Sequence, residues 1–259
     1  MKTLLRRLYY WGLNTQEGFQ NYQQKIRDVE WNAVVDYIPR NSSFFDIGCG
    51  TGYSMNRAVA DRDCTCIGID PSPNIAGVKH GRRSDSKSNY WVRHGIAENI
   101  PLPDESVDVV YCSHVLEHVQ NEELSLMEMS RVVKHEGVII IGVPTASMSL
   151  IRLISILIFE SHRNLLAIML WPFKPSIRKN RRFLDLIIPP SHGQPGRSIF
   201  FDLFHYRVRS WRKLIESQLI VEDTLLPAIY PFPDYLQLFK MRRMKNHASS
   251  VFFICKAVK

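Results

Sequence analysis

The chain has no apolar run long enough to cross a bilayer. Its richest apolar window, residues 148–159, is interrupted by Arg152. The first eight residues are basic, but residues 9–13 after them are aromatic and short, so we read no secretory leader here. Cysteine is scarce. Cys49, Cys64, Cys66, Cys112 and Cys255 lie in or beside strand-like runs and lack paired metal-ligand spacing. They read as small core residues of a protein kept in a reducing compartment. No internal repeat or low-complexity segment is present. Acidic residues are rare in one stretch: between Ser147 and Lys213, three Asp or Glu face twelve Lys or Arg. The whole chain carries a formal net charge of +8, so the remainder is close to neutral. A local basic excess of this kind speaks of a partner rather than a fold.

What is present is ordinary for a folded protein: 259 residues, 45% hydrophobic and 22% charged. That length holds one large α/β domain with an insertion, or two small ones. The informative stretch is 43–52, Ser-Phe-Phe-Asp-Ile-Gly-Cys-Gly-Thr-Gly. An apolar run ends in Asp46, glycines follow at 48, 50 and 52, and a helical pattern begins at Tyr53. This is a buried strand, a tight turn and a helix start. Glycine suits a turn with positive φ or a close approach of backbone to a ligand. The next strand-like run ends in Asp70, where an acid can accept bonds from both hydroxyls of a ribose. A dinucleotide fingerprint would need glycine where Tyr53 stands.

The acid–glycine–glycine–glycine order resembles motif I of class I S-adenosylmethionine (SAM) methyltransferases, and Asp70 resembles that family's ribose-binding acid. The likeness continues through residues 97–103 and 106–110, which resemble the adenine loop and fourth strand. It covers about residues 40–145. It implies SAM as cofactor and S-adenosylhomocysteine as product. It also implies cofactor contacts from Asp46, Gly48, Cys49, Gly50, Gly52, Asp70, Pro71, Ala97, Glu98 and Ser113. Many relatives carry an Asp at the position of Ile96, which receives the adenine amino group. Ile96 cannot do so, which leaves backbone at Ala97 and packing by Ile96.

The predicted fold is a Rossmann-like, seven-stranded, mostly parallel sheet with helices on both faces, an antiparallel last strand and a helical insertion after strand 5. Four segments are expected: an N-terminal helical segment (1–40), a SAM-binding core (41–145), a basic and apolar substrate lid (146–204), and a C-terminal helix and two strands (205–259). Residues 16–37 have apolar side chains at helical spacing, including Phe19, Tyr22, Ile26, Val29 and Val34. Strands are expected at 43–47, 65–70, 90–93, 106–113, 138–143, 219–226 and 250–257. Helices are expected at 53–60, 71–79, 121–134, 149–159 and 165–171. Residues 189–196 read as a loop, and 205–217 as a strand end and a helix capped by Ser210.

Methyl transfer to a hydroxyl needs a base as well as positioning. The candidates are His114 and His118 after the fourth strand, and His192 in the Pro-Ser-His-Gly loop. His114, Glu117 and His118 share one side of a helical turn. The turn resembles that of polyprenyl-quinone O-methyltransferases, where two Glu and a His hold a divalent cation. Here His114 replaces the first Glu, two imidazoles disfavour Mg²⁺, and we expect no metal. Taken together, the sequence predicts a SAM-dependent O-methyltransferase of a saccharide or polyprenyl acceptor, small or lipid-linked. The Pro-Ser-His-Gly loop, His205-Tyr206 and the Ser-Trp-Arg-Lys-Leu helix start at 210–214 resemble a bacterial surface-glycan-associated subgroup. The expected setting is cytoplasmic, with the basic insertion on the inner face of an anionic membrane. The alternatives are the quinone O-methyltransferase and an RNA methyltransferase, in which Trp171, Phe173 and Phe183 would stack on bases. Nucleic acid is the weaker partner, because no RNA-binding module is present.

Overall fold

The computed structural model describes residues 16–72, 81–82, 90–156, 161–170, 185, 187–229 and 246–258. The expected helix beyond Pro71, the Lys174–Arg182 cluster, and Trp171, Phe173 and Phe183 lie outside these residues, as do the side chains of Phe19 and Tyr22.

Helix α1 (Gln16–Val34) ends in a 3₁₀ turn (Val35–Tyr37). Then come β1 (Ser43–Ile47), α2 (Tyr53–Arg62), β2 (Thr65–Asp70), a two-residue β3 (Gly81–Arg82), β4 (Tyr90–His94) and β5 (Val107–Ser113). A 3₁₀ turn (Leu116–His118) leads to α3 (Glu122–Val132) and β6 (Val133–Pro144). Helices α4 (Ala146–Ser155), α5 (Ser161–Leu170), α6 (Ile199–His205) and α7 (Val208–Ile215) precede β7 (Leu219–Leu225) and β8 (Ser250–Ala257). The sheet order is β3-β4-β2-β1-β5-β6-β8-β7. Strands β4, β2, β1, β5 and β6 are parallel, and β7–β8 and β3–β4 are antiparallel. This is the expected Rossmann-like sheet with one short edge strand added.

The central strands are buried on both sides: neighbours such as Phe44 and Phe45, Val109 and Val110, and Ile139 and Ile140 are all inaccessible. Such strands read as continuous apolar runs, because crossovers cover both faces of a parallel sheet. On one face Trp31 and Val34 of α1 and Met55 and Ala58 of α2 pack with Phe44, Tyr111 and Ile140. Trp31 meets Phe44 and Tyr111 edge-on, with ring centroids about 6 Å apart. Gly142 in β6 makes room for the Phe252 ring, which a Cβ there would approach to 2.4 Å.

The chain forms two compact units. One, Asp28–Val143 with Arg209–Pro227 and Val251–Lys259, holds nearly all of the sheet. The other is Met1–Arg27, Pro144–Val208 and Ala228–Ser250.

Two local expectations are corrected. Where the sequence predicts a strand end from residue 205, His205 is instead the last residue of helix α6 and 206–207 form a turn; within α6 Ile199 and Asp202 are buried and Phe200 and Phe204 exposed. Ser210 does not cap the next helix. Tyr206 closes α6 through its N–H to the Asp202 carbonyl, and α7 starts at Val208, two residues ahead of Ser210.

Candidate functional site

The turn after β1 is held by the strand beside it. The N–H groups of Gly48 and Cys49 both donate to the Ile69 carbonyl, at 2.8 and 3.0 Å. Gly48, Gly50 and Gly52 have φ of +68°, +49° and +77°. At Gly48 a Cβ would also lie 2.3 Å from Cγ2 of Val115. At Gly50 a Cβ would meet nothing nearer than 3.9 Å, so the backbone there is open to a ligand.

Asp46 lies one residue before the end of β1 and is buried. Asp70 ends β2 and is half-buried. One Asp70 carboxylate oxygen accepts from the Gly50 N–H (3.1 Å) and the other from the Ser72 N–H (2.8 Å). This single side chain therefore ties the glycine turn to the end of β2. Cys49 is a packing residue. Burial, helped by the Asp46 and Asp70 charges, pushes its thiol up to about 12. Its side chain occupies the space left by Gly68, whose Cβ would sit 2.8 Å from that of Cys49.

The helix after the turn is anchored from its first residue. The Tyr53 hydroxyl donates to Asp28 of α1, and Arg57 bridges Asp28 and Asp61 at 2.8 and 2.9 Å. Trp31 donates its indole N–H to Asp61. These bonds fix the second half of α1 beside the glycine turn.

After β5 the chain turns at His114, whose φ of +55° is rare for a non-glycine residue. The His114 N–H donates to the Gly142 carbonyl, which holds the turn against β6. Its imidazole lies between two buried carboxylates: Nε2 is 3.2 Å from Glu30, and Nδ1 is 3.5 Å from Glu117. Burial alone would push the imidazolium down. The Glu30 and Glu117 carboxylates outweigh that and raise it to about 10, so His114 keeps its proton at neutral pH. His118 is half-exposed, 4.0 Å from Glu117. Sequence reasoning missed Glu30. The available signal was a carboxylate set between Ile26 and Val34, four residues from each, on the apolar stripe of α1.

The remaining predicted cofactor residues also lie near strand ends. Ala97 is buried in the turn after β4, and Ile96 beside it is 46% exposed. Glu98 accepts the Gln120 N–H at 2.8 Å. Ser113 ends β5 and is half-buried, while Pro71 is exposed just beyond Asp70.

His192 lies in the other unit. Its N–H donates to Asp202, which is fully buried and also accepts from Ser191. Burial raises the Asp202 carboxyl, against the pull of these two donors. The Pro-Ser-His-Gly loop is therefore closed onto α6, with Ser191 and Ile199 N–H groups bonded to Arg197 and Pro189 carbonyls. Sequence reasoning missed Asp202 too, a lone acid in an apolar helix.

Residues 45–141 match the methyltransferase-domain family. Over this stretch, a little more than a third of the chain, the protein is similar to class I, SAM-dependent methyltransferases. It is 35% identical to an ajmaline N-methyltransferase of Rauvolfia serpentina over 107 residues, 40% of this chain and 35% of that one. It is equally identical to a probable SAM-dependent methyltransferase of Mycolicibacterium smegmatis over 125 residues, 48% and 46% of the two chains. The chain spans less than half the length of these relatives. A Thermotoga maritima protein described as a SAM-dependent methyltransferase shares the fold, with a TM-score of 0.56 over 97% of this chain and 99% of that one, at 20% identity.

The site's acceptor groups suit SAM. A buried carboxylate at Asp46 suits an amino-acid ammonium, and the paired oxygens of Asp70 suit a ribose diol. Among the described residues, no side chain lies within 4 Å of where a Cβ of Gly50 would stand.

Proposed function

We propose that the chain transfers a methyl group from SAM to a hydroxyl of a saccharide or polyprenyl acceptor, free or lipid-linked. The observation that supports this best is the pair of acids at the ends of β1 and β2, joined by a glycine turn that Asp70 itself holds. Asp46 takes the ammonium, Asp70 the ribose hydroxyls, and Ala97 and Ile96 the adenine ring. Bound SAM supplies a methyl group already activated on a sulfonium. The protein's own task is then to align the acceptor and receive its proton.

His114 is not the base in this reading, because its proton is held between Glu30 and Glu117. We assign it instead to positioning the turn after β5. Imidazole is well suited to accept a hydroxyl proton near neutral pH, and His118 and His192 remain the candidates for that step. A reducing, cytoplasmic setting goes with this reading, since all five cysteines are free and buried.

The test is incubation with SAM labelled in its methyl group and separated lipids, glycans and RNA. The account expects label in the lipid or glycan fraction, and less of it in His118→Ala or His192→Ala. Label confined to RNA would overturn the acceptor assignment.

A further inference from the structure

The unit formed by Met1–Arg27, Pro144–Val208 and Ala228–Ser250 contains 18 Lys or Arg and 5 Asp or Glu. The rest of the chain contains 15 and 20. One of the few acids of the basic unit, Asp202, is fully buried.

The same unit leaves three apolar pairs in water, each one helical turn apart. They are Leu150 and Ile154 on α4 (49% and 47% exposed), Leu165 and Met169 on α5 (61% and 72%), and Phe200 and Phe204 on α6 (48% and 60%). Helix α4 packs against α6, and α6 turns Ile199 and Asp202 inward while showing its two phenylalanines. Basic and aromatic groups are interleaved there. The Arg207 guanidinium is 4.9 Å from the Phe204 ring centroid, and that of Arg197 is 5.2 Å from Phe201. Apolar pairs repeated on three helices are more than the scattered exposed residues of an ordinary surface.

Three occupants could cover such a face, and charge together with side-chain chemistry separates them. A second copy of the chain would bring two strongly positive units together. Nucleic acid would answer the charge but leave Leu150, Ile154, Leu165 and Met169 in water. An anionic lipid surface answers both, with phosphates for the Lys and Arg side chains and the acyl boundary for the apolar pairs. Among the described residues no helix is long and apolar enough to cross a membrane. The contact is with the surface of the bilayer. We propose that this unit docks on an anionic membrane surface, inserting the α4, α5 and α6 apolar pairs at headgroup depth. The docking goes beyond the methyl-transfer reading and does not depend on it.

The experiment is sedimentation of the full chain with phosphatidylcholine vesicles, with and without about a third phosphatidylglycerol. It uses the parent, Phe200→Ser/Phe204→Ser and Leu165→Ser/Met169→Ser. The four replaced residues are exposed, so the variants should fold, and SAM titration serves as the check on the core. The parent should partition onto the anionic vesicles alone. Raising salt from about 0.05 to 0.5 M should weaken binding about tenfold or more. Each double variant should bind about tenfold more weakly at low salt, with SAM affinity unchanged. A parent that stays in the supernatant with anionic vesicles at low salt overturns the proposal. So do variants that sediment as well as the parent, or a parent dimer that the variants dissolve. Loss of SAM binding by the parent would count against the proposed reaction, not against the docking.

Discussion

The two units of this chain solve different problems with different chemistry. The sheet unit is slightly acidic, and its distinctive residues are glycines and acids fixed by backbone bonds. The other unit is strongly basic, pairs exposed apolar side chains along three helices, and organises the loop before α6 around a buried Asp202. The match to the methyltransferase-domain family, residues 45–141, falls wholly within the sheet unit. The stretch that matches the family is thus the one that holds Asp46, the glycine turn and Asp70. The way to sharpen the comparison is to perturb each unit and ask which property moves.

The largest effect is expected from Gly48→Ala. It combines a positive φ with a Cβ placed 2.3 Å from Val115, so the turn must shift. A destabilisation of about 2–4 kcal/mol is expected, with SAM binding abolished. Chemical denaturation and calorimetry would check both. Unchanged SAM affinity would mean that the turn's conformation is not what holds the cofactor.

His114→Gln comes next. It takes a cation from between two buried carboxylates, and about 2–3 kcal/mol of stability should be lost at neutral pH. The pH dependence is a sharper readout. The folded protein raises His114 to about 10 from an ordinary 6.5. The stabilisation is therefore complete below about pH 6.5 and fades as pH climbs towards 10. In the parent, the urea midpoint should fall across that window, and in His114→Gln the fall should be shallower. Parallel slopes in the two proteins would show that the imidazole does not titrate between Glu30 and Glu117.

The smallest effect belongs to the other unit. Ser191→Ala removes one donor from buried Asp202 and should cost about 1 kcal/mol. SAM affinity should stay within twofold, roughly the uncertainty of a few tenths of a kcal/mol. A large loss of SAM binding would show that the units are coupled more tightly than this account holds.

The sequence made the sheet unit far more legible than the other. Strands β1, β2 and β8 begin and end where their apolar runs do, and Asp46, Asp70 and the glycines were readable because backbone geometry restricts which residues can stand there. What was missed depends on contacts between distant residues. Glu30 and His114 are 84 positions apart, and nothing local to either announces the pair. The left-handed backbone at His114 is equally invisible in a Ser-His-Val sequence. Helix α6 fell within the expected helical insertion but was not delimited, because its buried side shows only once it packs on α4. The basic excess was visible from the start. The three exposed pairs that give it an apolar counterpart were not, since exposure is a property of packing.

The central claim is that Asp70 holds both the glycine turn and the cofactor's ribose. Calorimetric titration of the parent and of Asp70→Ala with S-adenosylhomocysteine tests it most directly. The account predicts one-to-one binding by the parent and a loss of about 2–3 kcal/mol in the variant, roughly 30- to 150-fold in affinity. A parent that does not bind, or a variant that binds as tightly as the parent, would contradict it.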